Sequence, residues 1–308
     1  MEEIIFKNVI GCAETATPIS QELFDLLHTI SFPIGQRIPS NWKAPTGFTL
    51  KKLTLGELPI EHIIPEQKHE GKIILKIHGG GYVWPLMDNY RESTVLLSQL
   101  TGYEVVNVDY RLAPTHRYPA ALEDCLASYK YLLDLGYTGD DILLIGDSAG
   151  GGLCLAITLY LKDHKLPLPK AVVTISPWTE LTDDIAPSRR LNFEKDIILG
   201  KYGISLKDQG EKQDYRGTTD YRTPYVSPLH GNYDGFPPLL MIVGTYEMLY
   251  DDSRRVYDKA LAANCDVHFS SYYGMFHCFP ELAPELPESK MAWQEIIDFI
   301  EKYFAAYH

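Results

Sequence analysis

The sequence predicts an α/β fold built on a mostly parallel sheet of eight strands, with helices on both faces. From about Leu50 onward, short runs rich in apolar and β-branched residues alternate with longer helical stretches. This alternation is typical of parallel strands joined by helices. A chain of 308 residues can also bury about three quarters of its unfolded surface in one core. We therefore expect a single domain over residues 1–308.

Eight runs fit β-strands. The first two are separated by Gly56-Glu57, which predicts a tight turn between paired strands. The others are short and apolar enough for strands buried on both faces. In chain order the eight are Phe48–Leu55, Leu58–Ile64, Lys72–Ile77, Glu104–Asp109, Ile142–Ile145, Ala171–Ile175, Leu239–Val243 and Val267–Tyr272. The helical stretches between and after them are Tyr90–Leu100, Pro119–Leu133, Ala149–Lys162, Ser253–Ala263 and Glu288–Tyr303.

Two segments interrupt this alternation. Residues 1–48 hold a helical piece at Gln21–Thr29, followed by a stretch rich in proline. Residues 182–228 are polar, charged and rich in tyrosine, where one strand–helix unit is expected. A long surface connection is the simpler interpretation of the second segment. Because structureless loops beyond about 12–15 residues are uncommon in compact domains, we favour a small helical cap over the strand ends.

Composition and charge exclude several classes of function. The 28 Lys and Arg against 41 Asp and Glu give a net charge of −13, without a basic cluster that would bind nucleic acid or an anionic membrane. No apolar run is long enough to span a bilayer, and the first residues lack a signal-peptide pattern. The five cysteines lack a C-x-x-C pair. We therefore expect free thiols, no metal site and a cytoplasmic location.

The strongest chemical signal is Gly146-Asp147-Ser148-Ala149-Gly150, between an apolar strand and a helix. Gly-x-Ser-x-Gly in this context places a nucleophilic serine on a tight strand-to-helix turn. The glycines remove Cβ atoms that would clash there. The N–H of Ala149 and the helix N-terminus would favour a developing oxyanion. A structural glycine turn or a phosphate cradle is the alternative, although the absence of Lys after the glycines argues against a P-loop.

A second glycine-rich run, His78-Gly79-Gly80-Gly81, follows the third predicted strand. Successive glycines allow a backbone loop to approach the nucleophile and to direct N–H groups at one point. A flexible turn is the alternative interpretation. The position upstream of Gly-x-Ser-x-Gly favours the second half of an oxyanion hole. His78 is then expected to support this loop through hydrogen bonds and not to act as a base.

His277 is the histidine best placed to act as the base. Among ten histidines it lies in Gly274-Met275-Phe276-His277, directly after the strand predicted at Val267–Tyr272. In chains that present a serine in this way, the acid and then the histidine follow the serine along the sequence. A packed core histidine is the alternative in this apolar loop, and the position favours the base.

The acid that orients the base is expected after the preceding strand, Leu239–Val243. Glu247 is the first carboxylate there and our first choice. Asp251 and Asp252 are rivals, although we expect them to cap the helix that follows. A surface salt bridge is the alternative role for Glu247.

Together these motifs make the chain resemble the hormone-sensitive-lipase family of α/β-hydrolase carboxylesterases. The resemblance spans about Lys72 to Phe279. Besides the runs above, it is carried by Val108-Asp109-Tyr110-Arg111-Leu112-Ala113-Pro114, Tyr118-Pro119-Ala120-Ala121-Leu122-Glu123-Asp124 and Ile175-Ser176-Pro177-Trp178.

The resemblance implies an α/β-hydrolase fold and ester hydrolysis by Ser148, Glu247 and His277, without a metal or an organic cofactor. It places the oxyanion between backbone N–H groups, with neighbouring side chains and backbone in support. It also assigns the cap to residues 1–48 and about 182–228. The oxyanion hole would be formed by Gly80, Gly81 and Ala149, and the supporting residues would be His78, Gly79 and Asp147.

Two positions depart from the family pattern. Family members often carry Asp as the acid, whereas Glu247 is one methylene longer. Thr115-His116 stands where Glu-His is usual, in a loop whose role looks structural.

The expected function is hydrolysis of a small-molecule ester by two-step acyl transfer. Charged residues in 182–228, among them Arg189 and Asp196, favour soluble short-chain esters over aggregated fat. A non-catalytic ligand-binding protein, a lipase and a peptidase of the same fold are the alternatives. The oligomeric state, including a homodimer, stays open, as does the role of Cys278 beside His277.

Overall fold

The computed structural model describes residues 34–182, 186–201 and 215–304. Its eight strands form one sheet in the order β1-β2-β4-β3-β5-β6-β7-β8. Strand β2 runs antiparallel to both β1 and β4, and the other neighbours are parallel. The mostly parallel sheet predicted from the sequence is confirmed. The strands are β1 (Phe48–Leu55), β2 (Leu58–Pro65), β3 (Ile73–Ile77), β4 (Glu104–Val108), β5 (Ile142–Asp147), β6 (Ala171–Ile175), β7 (Leu239–Gly244) and β8 (Val267–Tyr272).

Helices cover both faces of this sheet. Successive strand residues point to opposite faces, so Leu75 joins one core cluster and its neighbour Ile74 joins the other. Helices α2, α3 and α5 pack on the first face, and α1, α6 and α7 on the second. The helices are α1 (Asp88–Thr101), α2 (Ala120–Asp134), α3 (Ser148–Asp163), α4 (Pro187–Leu191), α5 (Tyr250–Ala262), α6 (Phe279–Leu282) and α7 (Pro287–Phe304).

The expected cap is described only in part. The helical piece at Gln21–Thr29 lies outside the described residues. In the second cap segment, α4 is followed by turns as far as Lys201, and a 3-10 turn at Pro228–His230 leads toward β7. The division of residues 1–308 into one domain with this cap stays a proposal.

The carboxyl ends of the parallel strands meet at one edge of the sheet, where such folds hold their ligands. The glycine run His78–Gly81 follows β3, and Ser148 follows β5. Glu247 follows β7 and His277 follows β8. The topology thus gathers four separate stretches of the chain at one place.

Leu75 provides a test of the core, because it is fully buried on the central strand β3. We expect Leu75→Ala to reduce the free energy of unfolding by about 2–5 kcal/mol, through lost apolar burial and a residual cavity. Leu261, which is 48% exposed on α5, is the matched control, and Leu261→Ala should stay within about 0.5 kcal/mol. Urea denaturation of the two variants measures both values, and equal losses would contradict the assigned core.

Candidate active site

Ser148, His277 and Glu247 form a continuous chain of hydrogen bonds. The Ser148 hydroxyl donates to Nε2 of His277 over 2.9 Å, and Nδ1–H of His277 donates to Oε2 of Glu247 over 3.3 Å. All three side chains are buried, with Ser148 exposed by 8%. The structure therefore brings together the three residues that the sequence singled out as nucleophile, base and acid.

The turn at Ser148 depends on the glycines around it. Ser148 is the first residue of α3 and has φ +50°, in the left-handed region that is strained for a residue with a side chain. A Cβ on Gly150 would lie 2.1 Å from the carbonyl oxygen of Ile77. The missing Cβ lets the start of α3 approach the end of β3, so that the serine hydroxyl reaches the pocket.

Glu247 is held by three donors, one from its own loop and two from other parts of the chain. Its Oε1 accepts from the Ser176 hydroxyl over 2.6 Å and from the Gly244 N–H over 2.5 Å. Burial raises the pKa of the Glu247 carboxyl well above its usual value, and these two hydrogen bonds act against that rise. Together with Nδ1–H of His277, they fix the carboxylate in one orientation.

Burial lowers the pKa of His277 to about 4, while the charges of Asp196 and Asp252 act in the opposite direction. At neutral pH the imidazole is therefore neutral, and Nε2 carries the lone pair that a base needs. The Ser148 hydroxyl points at this nitrogen.

The glycine loop lies beside the serine. Gly80 and Gly81 have φ of +98° and +61° and line the pocket together with Ser148. Neither of their N–H groups donates to any residue that the structure describes. The N–H of Ala149 belongs to the first turn of α3, where N–H groups have no partner within the helix.

Asp147 and His78 lie behind this loop. Asp147 accepts the Gly79 N–H over 2.9 Å, and Nδ1–H of His78 donates to the Gly79 carbonyl over 2.8 Å. The His78 ring stacks on Tyr110 at 4.3 Å between ring centres. Burial lowers the pKa of His78 to about 3, so its ring is neutral. These contacts place His78 and Asp147 against the backbone of the glycine loop.

Cys278 places a thiol between the base and Asp147. Its Sγ lies 3.4 Å from Nε2 of His277 and 3.7 Å from Oδ2 of Asp147. Burial raises the pKa of this thiol well above its usual value. Since the thiolate is the reactive form of cysteine, Cys278 is a weak nucleophile at neutral pH.

The expectation that Asp251 and Asp252 cap the helix was wrong. Helix α5 starts at Tyr250, which places both residues in its first turn, and Leu249 is its N-cap residue. Asp251 accepts the Ser188 N–H instead, and Asp252 pairs with Arg189. Neither carboxylate hydrogen-bonds to His277 among the described contacts.

The pocket above Ser148 is mainly apolar. Its cavity has a volume of about 520 Å³. Its walls come from the segment before β1, the turn after the glycine loop, the second cap segment and the loop before α5. Examples are Ile38, Trp84, Leu86, Leu199, Met248 and Leu249. Such walls suit the uncharged parts of a small ester.

Two of the charged residues in 182–228 have structural partners. Arg189 is half-buried and forms a salt bridge with buried Asp252 at 3.0 Å. Asp196 is 1% exposed and accepts backbone N–H groups. These two charges tie the cap segment to α5 and its preceding loop, so they say nothing about a polar substrate.

Sequence reasoning missed the part played by Ser176. This residue follows β6 with φ +50°, donates to Glu247 and accepts the Cys278 N–H over 3.0 Å. It therefore joins the loop of the acid to the loop of the base. The run Ile175-Ser176-Pro177-Trp178 marked the position, but only the folded arrangement gives the hydroxyl its two partners.

Among the described residues, none of the helices combines the length and the apolar character needed to cross a bilayer. The same ranges hold no group of three or more His, Cys, Asp or Glu side chains suited to a metal ion.

Comparisons with known proteins place relatives of this chain among α/β hydrolases. A family model described as α/β hydrolase fold matches residues 74–281. An acetyl-hydrolase of Streptomyces hygroscopicus is 35% identical over 263 residues, covering 85% of each chain. An esterase of Acinetobacter venetianus is 36% identical over 236 residues, covering 77% of each chain. The solved structure of an esterase from the bacterial hormone-sensitive lipase family superposes with a TM-score of 0.78, at 31% identity and 94% coverage of both chains.

The fold and the site thus define an α/β hydrolase with a buried serine, histidine and carboxylate. The chain belongs to the α/β-hydrolase family, and within it to the hormone-sensitive-lipase family of esterases.

Asp147 gives the site a measurable pH signature. Burial, with the charge of Glu281 adding to it, raises the pKa of Asp147 from 3.8 to about 7. The folded state then binds this proton more tightly than the unfolded state does. Stability due to the group is complete below about pH 4 and is lost as the pH rises to about 7.

We therefore expect the free energy of unfolding of the natural protein, minus that of Asp147→Asn, to fall between about pH 4 and pH 7 and then to level off. Denaturation of both proteins across this range measures the difference. Asp134→Asn, at an exposed position on α2, controls for the substitution itself. A difference that does not change with pH would contradict the assignment.

Proposed function

We propose that the protein is a serine carboxylesterase that hydrolyses short-chain esters through Ser148, His277 and Glu247, by way of an acyl-enzyme intermediate. The observation that carries this proposal is the hydrogen-bonded chain from the Ser148 hydroxyl through His277 to Glu247. Ser148 and His277 line an apolar pocket, together with Gly80 and Gly81, whose N–H groups have no described partner.

The reaction class follows from the family to which the chain belongs. The chain is a carboxylic ester hydrolase, because it belongs to a family whose compared members are an acetyl-hydrolase and esterases, with coverage from 77% to 94% of this chain. The roles of individual residues and the preference for short acyl groups are the parts that we propose.

In the first half of the reaction, the Ser148 hydroxyl attacks the ester carbonyl carbon while Nε2 of His277 takes its proton. The carbonyl oxygen becomes an oxyanion, and the N–H groups of Gly80, Gly81 and Ala149 stabilise it. Glu247 holds the ring by Nδ1–H and stabilises its positive charge. The intermediate then expels the alcohol, which takes the proton from Nε2.

In the second half, a water molecule replaces the alcohol. His277 takes a proton from this water as the oxygen attacks the acyl carbon, and the same N–H groups receive the second oxyanion. Collapse of this intermediate breaks the bond to Ser148, whose oxygen regains the proton from Nε2. The carboxylic acid leaves, and the serine is ready for another ester.

The size of the pocket supports a small substrate. About 520 Å³ lies in the lower half of the roughly 300–1,000 Å³ typical of small-molecule sites. An ester with a short acyl group fits within it, whereas three long acyl chains do not. The relative named acetyl-hydrolase points to the same class of acyl group. We also propose that residues 38–41 and 186–199 act as the cap that shapes this pocket.

Replacing the nucleophile tests the proposal. We expect Ser148→Ala to lower kcat on p-nitrophenyl acetate and butyrate by at least about 10⁴-fold, because the substitution removes the hydroxyl that forms the acyl-enzyme. The Cys278 thiol beside the same base is too weak a nucleophile to replace it, since burial raises its pKa. Ser128→Ala, at a buried serine on α2, is the matched control and should keep its activity. Equal, slow rates for the natural protein and Ser148→Ala would favour the non-catalytic binding protein instead.

The acyl preference needs its own measurement. We expect kcat/KM on p-nitrophenyl esters to be highest for acetyl to hexanoyl groups and to fall toward palmitoyl, since long chains exceed the cavity. A steady rise toward long-chain, micellar substrates would overturn the short-chain proposal and favour a lipase.

A further inference from the structure

The second cap segment is fastened to the loop that carries the acid. Residues 192–199 cross over the loop 244–248 and then contribute Ile198 and Leu199 to the pocket wall. Two buried side chains of this segment, Asn192 and Asp196, make the connection.

Asn192 binds the backbone on both sides of the acid. Its Nδ2 donates to the carbonyl of Thr245 over 3.0 Å and to the carbonyl of Glu247 itself over 2.8 Å. Asn192 is 7% exposed, so water cannot readily replace a lost partner. The side-chain amide of Asn192 has two N–H groups, one for each of these two carbonyl oxygens.

Asp196 holds the next residue of the same loop. Its Oδ2 accepts the Met248 N–H over 2.8 Å, while its Oδ1 accepts the N–H groups of Ile198 and Leu199 over 3.0 and 3.2 Å. One carboxylate therefore fixes the acid loop with one oxygen and the pocket wall with the other. The two tethers bracket Glu247 at its own carbonyl and at the following N–H.

Asp196 also adds charge next to the base. The charge of Asp196 interacts with both His277 and Glu247. It favours the protonated imidazole of His277, as does the charge of Asp252. Apart from these carboxylates, the Cys278 thiol is the titratable group described beside the ring.

We propose that Asn192 and Asp196 are positioning residues that hold the Glu247 loop against His277, so that one segment shapes the substrate pocket and also orients the acid. This inference rests on the proposed function, because it assigns Asn192 and Asp196 to the reaction only through Glu247. Loss of either tether allows the loop 244–248 to shift, and small misplacements of a catalytic group are costly to turnover.

Changes in kcat and in KM distinguish an effect on the orientation of Glu247 from an effect on the pocket wall. We expect Asn192→Ala to lower kcat on p-nitrophenyl butyrate by roughly 10- to 100-fold with little change in KM. Leu199→Ala, on the same segment but in the wall, should instead change KM for longer acyl groups and leave the pH profile as it is. Asn107→Ala controls for loss of a buried amide elsewhere, in β4, and should keep the natural kcat.

Two further readouts distinguish positioning from loss of stability. In proton NMR spectra, the Nδ1–H resonance of His277, which reports its bond to Glu247, should move upfield or broaden in Asn192→Ala and not in Asn107→Ala. In Asp196→Asn, the acidic limb of kcat/KM should move to lower pH, because the lost charge no longer favours the protonated ring.

The outcomes separate the two proposals. If Ser148→Ala is inactive while Asn192→Ala keeps the natural kcat, pH profile and Nδ1–H resonance, the positioning role is wrong and the proposed function stands. If Ser148→Ala is fully active, the proposed function is wrong, and the positioning role that rests on it is wrong as well. Should Asn192→Ala not fold, Asn192→Ser retains one donor, and its kcat should fall by a smaller factor with the same NMR change.

Discussion

The position of the reacting groups depends on how closely the start of helix α3 approaches the ends of β3 and β5. This approach is possible because Gly146 and Gly150 lack Cβ atoms, which would lie 2.6 and 2.1 Å from backbone oxygens. It forces Ser148 into a left-handed conformation. It also brings the serine to the pocket that Gly80 and Gly81 line, which is the arrangement on which the proposed oxyanion site rests.

The charged side chains buried below Ser148 and the glycine loop are paired with each other. Lys76 pairs with Glu281 at 3.0 Å, and both side chains are at most 2% exposed. Asp147, with its raised pKa, lies near this pair and receives the Gly79 N–H. Removing one member of a buried pair typically costs about 3–5 kcal/mol, so the support of the glycine loop His78–Gly81 and the stability of the fold depend on neighbouring charged residues.

Most of the sheet and the chain order of the site could be predicted from the sequence, because apolar periodicity and glycine spacing are local signals. Glu247 was also identifiable from its position after a strand. The contacts of Asp251 and Asp252 were not, since they depend on Ser188 and Arg189, which lie some 60 residues earlier and are brought near only by packing.

The same limit applies to Ser176, Asn192 and Asp196. Each of them is an ordinary polar residue in a loop. The run Ile175-Ser176-Pro177-Trp178 marked the position of Ser176 but not its partners, and the neighbours of Asn192 and Asp196 along the chain indicate no role. Ser176 meets Glu247 across 71 positions, and Asn192 meets it across 55. These side chains reach their partners only when the loops at the carboxyl ends of the strands pack together.

The fastening of residues 192–199 to the acid loop has a consequence for how this esterase can change its substrates over evolutionary time. The pocket has one wall, near Ile38 and Leu86, that makes no described hydrogen bond to the loop of Glu247. Another part of the wall, near Leu199 and Met248, is tied to that loop by the hydrogen bonds of Asp196. Adaptive substitutions that enlarge the pocket should therefore accumulate on the Ile38 side, where new specificity does not disturb the catalytic geometry.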